Sequence, residues 1–252
     1  LIWRKLREKA FYYGGFFFGG LWFFLSLALA LLRLLFHPGD RNSAHLFADR
    51  FCGSLTRALH WKIEVENRER IVENHPCVFI ANHQSFLDVV TYGAIVPPRT
   101  LAVGKKEIRR IPLFGWFFRA SGNLLLDRGN TEQTSRALEK AGEILRKENV
   151  SVWFMPEGHR NLGARLLQFK TGAFRLAIAA KVPIVALVAE PISVLADTIH
   201  HRARPGTLRI RVLDPIFPGS ENTADLAAFA ERVRAKMQAA FDELRSGPSR
   251  SS

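Results

Sequence analysis

Cys77-Val78-Phe79-Ile80-Ala81-Asn82-His83-Gln84-Ser85-Phe86-Leu87-Asp88 passes from an unbroken apolar run, through a polar turn, to the start of an apolar helical segment. The short apolar run reads as a strand. Ser85 followed three positions later by Asp88 is the pattern that opens a helix. The unit recurs along the chain. Short apolar runs at 62–66, 101–103, 123–126, 151–154, 183–189 and 208–213 alternate with helical patterns over 86–94, 112–120, 132–147, 171–181 and 224–244. Alternation of this kind predicts an α/β sandwich around a largely parallel sheet, spanning residues 61–245.

Upstream the pattern changes. Residues 11–32 carry no charge, and 22 helical residues rise about 33 Å against a hydrocarbon core of about 30 Å. The stretch is too long for the apolar region of a signal peptide and no small-x-small cleavage signal precedes Arg33, so a retained membrane anchor is expected. Gly14-Gly15 and Gly19-Gly20 permit close packing against another helix. After the breaker His37-Pro38-Gly39-Asp40, residues 42–60 place Leu46, Phe47, Phe51, Leu55 and Leu59 at helical spacing among charges. This second helix is amphipathic and too polar to span. Residues 1–60 are therefore expected to form a membrane-embedded two-helix anchor, and the polar tail 246–252 to be disordered.

The formal net charge is +13. Residues 1–36 supply +4 of it through Arg4, Lys5, Arg7, Lys9 and Arg33 against Glu8, so the globular part is itself basic. That balance suits phosphorylated substrates or anionic lipid, and the adjoining apolar segment favours anionic membrane lipid over nucleic acid. No aromatic-rich basic strand or recognition helix points to nucleic acid. Cys52 and Cys77 lack the spacing of a disulfide framework or zinc site, and no metal is expected.

Four strand-end clusters carry polar chemistry. In the first, the Asp88 carboxylate can orient the His83 imidazole, whose other nitrogen would take a proton from an alcohol. Asp88 can equally serve only as the acidic member of a capping box with Ser85. Gly122-Asn123-Leu124-Leu125-Leu126-Asp127-Arg128 is a buried strand ending in a charged turn. Phe154-Met155-Pro156-Glu157-Gly158-His159-Arg160 follows another apolar run, and its turn can aim backbone amides and the Arg160 fork at an anion or be a plain surface turn. Val182-Pro183-Ile184-Val185-Ala186-Leu187-Val188 reads as a core strand.

Together, and in this order, these clusters resemble the blocks of the glycerolipid acyltransferase family, most closely its bacterial 1-acylglycerol-3-phosphate acyltransferases: NHxxxxD, a Gly-Asn-Leu block ending in Asp-Arg, FPEGTR, and a Val-Pro-Ile block. Val103-Gly104-Lys105-Lys106 with Ile111-Pro112-Leu113-Phe114-Gly115, and Phe169-Lys170-Thr171-Gly172-Ala173-Phe174, extend the likeness over roughly residues 60–190. His159 stands where the family has threonine, and Ala186 where it has a second proline.

The resemblance implies one-step transfer of a fatty acyl group from acyl-CoA or acyl-carrier protein to the sn-2 hydroxyl of lysophosphatidic acid, giving phosphatidic acid. Other lyso-acceptors, such as a lysophospholipid, a lyso-ornithine lipid or glycerol 3-phosphate, are the alternative. It assigns His83 as base and Asp88 as its orienting partner. Lys105, Arg128, Glu157, Gly158 and Arg160 map to acceptor binding, with no cofactor beyond the thioester co-substrate. It also implies the cytoplasmic face of a bacterial inner membrane, the side on which the thioester donors are found. Because basic residues near the start favour a cytoplasmic N-terminus, the two-helix anchor is expected to dip into one leaflet and return. His159 beside Arg160 would make acceptor affinity vary near neutral pH.

Overall fold

The structure is a computed structural model describing residues 2–127, 131–163, 165–218 and 225–247. Helix α1 (Ile2–Phe36) is followed by α2 (Ser43–Ala48), a π-helical stretch (Asp49–Gly53) and α3 (Ser54–Ala58). The body runs β1 (Trp61–Glu66), α4 (Glu69–Glu73), β2 (Val78–Ala81), α5 (Asp88–Gly93), β3 (Thr100–Lys105), a 3-10 turn (Lys106–Arg110), α6 (Phe114–Ala120), β4 (Leu124–Leu126), α7 (Thr131–Glu148) and β5 (Ser151–Phe154). It continues with α8 (Gly172–Ala180), β6 (Ile184–Ala189), a small hairpin of β7 (Ala196–Asp197) and β8 (Arg202–Ala203), β9 (Gly206–Val212) and α9 (Leu226–Ser246).

The main sheet has seven strands among the described residues, ordered β1-β9-β6-β2-β5-β3-β4. Five of its six neighbouring pairs are parallel, and β6 with β9 is antiparallel. The α/β sandwich around a largely parallel sheet expected from the sequence is the architecture observed, with β1 and β9 running opposite to the other five strands. Apolar runs without polar breaks are what strands buried on both faces require. In β2, Val78 and Ile80 face one core with α7, α8 and α9, while Phe79 and Ala81 face a second core that includes Tyr12 of α1. In β6, Ile184, Ala186 and Val188 join the first core and Val185, Leu187 and Ala189 the second.

The N-terminal helices pack antiparallel. Phe23 meets Phe47 and Phe51 at centroid distances of 5.6 and 5.2 Å, and Gly19 faces Leu55 while Gly15 faces Leu59. A Cβ at Gly15 would stand 2.9 Å from Leu59 Cδ2, so the glycine sets how closely the helices approach. Gly14 and Gly20 face open space. Phe117 of α6 completes a third apolar cluster with Leu27, Ala30, Leu34 and Phe47. The hairpin is therefore seated on the α/β body. The outer face of α1 stays exposed at Phe17, Phe18, Leu21, Phe24 and Leu25, and α1 is long and apolar enough to cross a membrane.

Helix α9 runs two residues past its expected end. The start of that expected helix at Ala224, and tail residues 248–252, lie outside the described residues.

Candidate functional site

Strands β6, β2, β5, β3 and β4 are mutually parallel, so their carboxyl ends share one edge of the sheet. His83 follows β2, Glu157 and Arg160 follow β5, Lys105 ends β3, and Asp127 follows β4. With neighbouring strands about 4.8 Å apart, the Arg160 loop lies one strand from His83 and Lys105 two, about 10 Å. Arg128, the expected acceptor ligand after β4, lies outside the described residues.

His83 Nδ1 lies 2.9 Å from Asp88 Oδ2, with side chains 20% and 4% exposed. An ionised carboxylate only accepts, so the neighbour assigns the Nδ1–H tautomer and leaves the Nε2 lone pair for a substrate proton. The same oxygen accepts the backbone N–H of Gln84 and, at 2.9 Å, that of Ser85, while the Leu87 N–H donates to Ser85 Oγ at 3.3 Å. The two sequence readings of Asp88 therefore coexist in geometry: one carboxylate closes the turn and holds the imidazole. The turn occupies 85–87, so α5 begins at Asp88 rather than at Phe86 as the periodicity suggested.

Glu157 takes a different place from the acceptor ligand expected of it. It is 2% exposed, with Oε1 accepting the His83 N–H at 2.8 Å and Oε2 the Leu167 N–H at 2.9 Å. Burial raises its pKa above the ordinary 4.5, and the nearby Asp88 charge adds to the rise against the two hydrogen bonds. A buried carboxylate with both oxygens engaged repels a phosphate and ties loops together. The Gly158 N–H is likewise spent on Met155 O at 3.1 Å, and Gly158 takes φ +76° to make that turn. Asn161 N–H donates to His83 O at 2.8 Å, locking the third block beneath the first.

Arg160, His159 and Lys105 are exposed, and their side chains make no hydrogen bond or ion pair with the described residues. Lys106 is paired with Asp127 at 2.7 Å. Arg160 and Lys105 thus remain available to an anion along the edge that His83 occupies.

Three supporting residues were given no role from the sequence. Asn82 Oδ1 accepts Tyr92 Oη at 2.7 Å and Ala189 N–H at 2.8 Å, and its Nδ2 donates to Ala189 O. Gln84 Nε2 donates to Ala189 and Glu190 carbonyls, and its Oε1 accepts Ile192 N–H. These amides extend the β2–β6 ladder past the last strand residue and fix His83 between them. Burial, with the Asp88 charge adding to it, pushes the Tyr92 phenol well above its usual value, so it stays a donor. The available signal was two side-chain amides directly after a fully apolar strand, since buried amides need partners.

On the other side of the His83 turn, Phe16 of α1 meets Phe86 at 5.6 Å, and Tyr13 Oη lies 3.1 Å from His201 Nδ1. Helix α1 thus forms an apolar wall beside the loop. Ser85 is buried, and Cys52 and Cys77 are buried thiols pushed up to about 12 by desolvation, so none of the three is poised as a nucleophile. What remains is an oriented base at a strand end, cations one and two strands away, and an apolar approach. Such a site can deprotonate a hydroxyl next to an anionic group.

Residues 62–190 match the family model described as Acyltransferase. A 1-acyl-sn-glycerol-3-phosphate acyltransferase of Haemophilus influenzae is 38% identical over 170 residues, 66% of this chain and 70% of that protein. The protein of the same name from Escherichia coli is 34% identical over 213 residues, 83% and 85% of the two chains. The crystal structure of the 1-acyl-sn-glycerophosphate (LPA) acyltransferase, PlsC, from Thermotoga maritima superposes with a TM-score of 0.74 at 22% identity, over 96% of this chain and 99% of that one, and so shares the fold. With the family model covering about half of its residues and relatives aligning along most of their length, the chain belongs to the acyltransferase family.

Proposed function

We propose that the chain transfers a fatty acyl group from acyl-CoA or acyl-carrier protein to the sn-2 hydroxyl of 1-acylglycerol 3-phosphate, forming phosphatidic acid. The reading needs no cofactor beyond the thioester. His83 Nε2 takes the hydroxyl proton as that oxygen attacks the thioester carbonyl. The tetrahedral intermediate collapses with loss of the thiolate, which takes the proton back from the imidazolium. Asp88 holds the imidazole and stabilises its charged form, general-base help of this kind being worth about 10²- to 10⁴-fold. Arg160 receives the acceptor phosphate, with Lys105 further along the edge and Arg128 as a third candidate. Glu157 and Gly158 act through the loop they hold.

The observation that carries the reading is the His83–Asp88 pair at the end of β2, with the loop of the exposed Arg160 one strand away and the α1 wall at Phe16 beside the same turn. A lysolipid has the matching sequence of parts: phosphate, hydroxyl, acyl chain. The antiparallel α1–α2 hairpin and the basic start of α1 support entry from one leaflet at the cytoplasmic face of a bacterial inner membrane, where anionic lipid is the expected surroundings.

The test is an acceptor panel with purified chain in vesicles: 1-acylglycerol 3-phosphate, monoacylglycerol, lysophosphatidylcholine, a lyso-ornithine lipid and glycerol 3-phosphate, each with acyl-CoA and with acyl-carrier protein. The highest kcat/KM is expected for 1-acylglycerol 3-phosphate, with Arg160→Gln raising its KM. Preference for any other member of the panel overturns the acceptor assignment.

A further inference from the structure

Between β3 and β4 the chain builds a second apolar projection that the reaction does not use. Ile111, Leu113 and Trp116 are 48%, 62% and 55% exposed. Leu113 is held there by an unusual turn: its φ is +61° and ψ −50°, and the Phe114 N–H donates to Pro112 O at 2.6 Å across it. This is a γ-turn of the strained hand, which a branched, bulky residue adopts only when its surroundings impose it. Gly115 makes the turn possible, because a Cβ there would lie 2.6 Å from the carbonyl oxygens of Ile108 and Arg109. The other side of α6 is firmly packed. Phe117 and Phe118 are buried, and Phe114 and Phe117 meet Phe47 of the N-terminal hairpin at 6.0 and 5.0 Å. Phe114 also meets Phe23, neighbour of the exposed Phe24.

The projection is ringed by cations. Arg109, Arg110 and Arg119 are exposed, and their side chains make no hydrogen bond or ion pair with the described residues. Glu107 is the single acidic residue between Lys105 and Arg119. An apolar tip carrying tryptophan, flanked by unpaired arginines and bordering a helix face long and apolar enough for lipid, has the composition of a bilayer-interface element.

We infer that Ile111, Leu113 and Trp116 form a wedge that inserts into the leaflet holding α1, with Arg109, Arg110 and Arg119 on the phosphates of anionic lipids. The wedge deepens the lipid-acceptor reading: a second contact point fixes the rotation of the body about α1, so that the carboxyl edge of the sheet, with His83 and Lys105, sits at headgroup depth. Two contacts set an orientation that one helix leaves free.

The test reads depth rather than turnover, so that it can fail while the acyltransferase reading stands, and the reverse. The full chain with Leu113→Cys is labelled with an environment-sensitive fluorophore and placed in vesicles of phosphatidylcholine and phosphatidylglycerol. A second preparation carries the label at the exposed Glu139 of α7 on the opposite face of the sheet. The native thiols are buried and stay unlabelled. The wedge predicts a blue-shifted emission at position 113, quenching by lipids spin-labelled high on the acyl chain, and iodide quenching several-fold weaker than at position 139. Replacing Arg109, Arg110 and Arg119 together by Gln should reduce that shielding in the same vesicles. Iodide quenching at 113 equal to that at 139 overturns the inference. So does shielding that appears only when acyl-carrier protein is added, which would make this face a protein-docking surface.

Discussion

Asp88→Asn separates the two tasks that one oxygen performs. Asp88 Oδ2 accepts from His83 Nδ1, Gln84 N–H and Ser85 N–H, and the side chain is almost fully buried. Asparagine keeps the shape and one acceptor oxygen but removes the charge. Hydrogen bonds to a charged group contribute about 1.5–3 kcal/mol and neutral ones about 0.5–1.5, so three weakened bonds predict a loss of roughly 1–3 kcal/mol. Relief of the Asp88 charge on the buried Glu157 offsets part of it. A domain stable by about 5–15 kcal/mol remains folded after such a loss. The rate effect is larger: about 10²- to 10⁴-fold of base catalysis corresponds to roughly 3–5.5 kcal/mol of barrier. The assay is initial phosphatidic acid formation per folded protein, with thermal unfolding followed in the same micelles. We expect a modest Tm decrease and a loss of at least about 10²-fold in kcat, with the Asp88→Asn/His83→Ala double variant scarcely worse than His83→Ala alone because the pair acts as a unit. Near-normal kcat in folded Asp88→Asn would refute the dyad.

Glu157→Gln offers an amide N–H₂ where the structure has two backbone donors converging on two acceptor oxygens, and leaving one buried donor unmet costs about 1–3 kcal/mol; we expect lower Tm and slower turnover with little change in acceptor KM, whereas a selective KM increase would restore Glu157 as an acceptor ligand. Because burial raises the folded-state pKa of Glu157, wild-type stability from this group falls as pH rises from about 4.5 through the raised value. The stability gap between wild type and Glu157→Gln should therefore narrow over that rise in denaturant titrations, and a gap that widens reverses the sign. Cys52 and Cys77, pushed up to about 12 by burial, should resist iodoacetamide at neutral pH until the chain unfolds; rapid alkylation of native protein would show that one is accessible. Gly115→Ala drives a Cβ against two backbone carbonyls that have no rotamer to give, so a loss of about 1–3 kcal/mol is expected, and an unchanged Tm would mean that the turn before α6 is looser than described.

The sequence carried the central strands because burial on both faces leaves a plain mark: β2 and β6 are apolar at every position, and β5 at every position after Ser151. It carried the His83–Asp88 pair because a five-residue separation across one turn is local chemistry. Strand direction left no such mark, and the reversal of β1 and β9 depends on how the chain crosses after β6. The β7–β8 hairpin escaped notice because two-residue strands among His200, His201 and Arg202 have no period. Glu157 maps to acceptor binding only through its place in the block that resembles FPEGTR. Its burial comes from partners at His83 and Leu167, and nothing local records the distant one. Gly15 and Gly19 were legible as packing glycines, but which member of each pair met the second helix depended on a rotation of α1 that composition leaves open.

The most direct measurement pairs labelled acyl-CoA with 1-acylglycerol 3-phosphate in vesicles holding wild type or His83→Ala, quantifies phosphatidic acid, and locates the label on the glycerol. The account predicts label at sn-2 in wild type, no label retained on the protein, and a loss of about 10²-fold or more in folded His83→Ala. Undiminished product from His83→Ala, or an acyl group held covalently on the enzyme before acceptor is added, would contradict it.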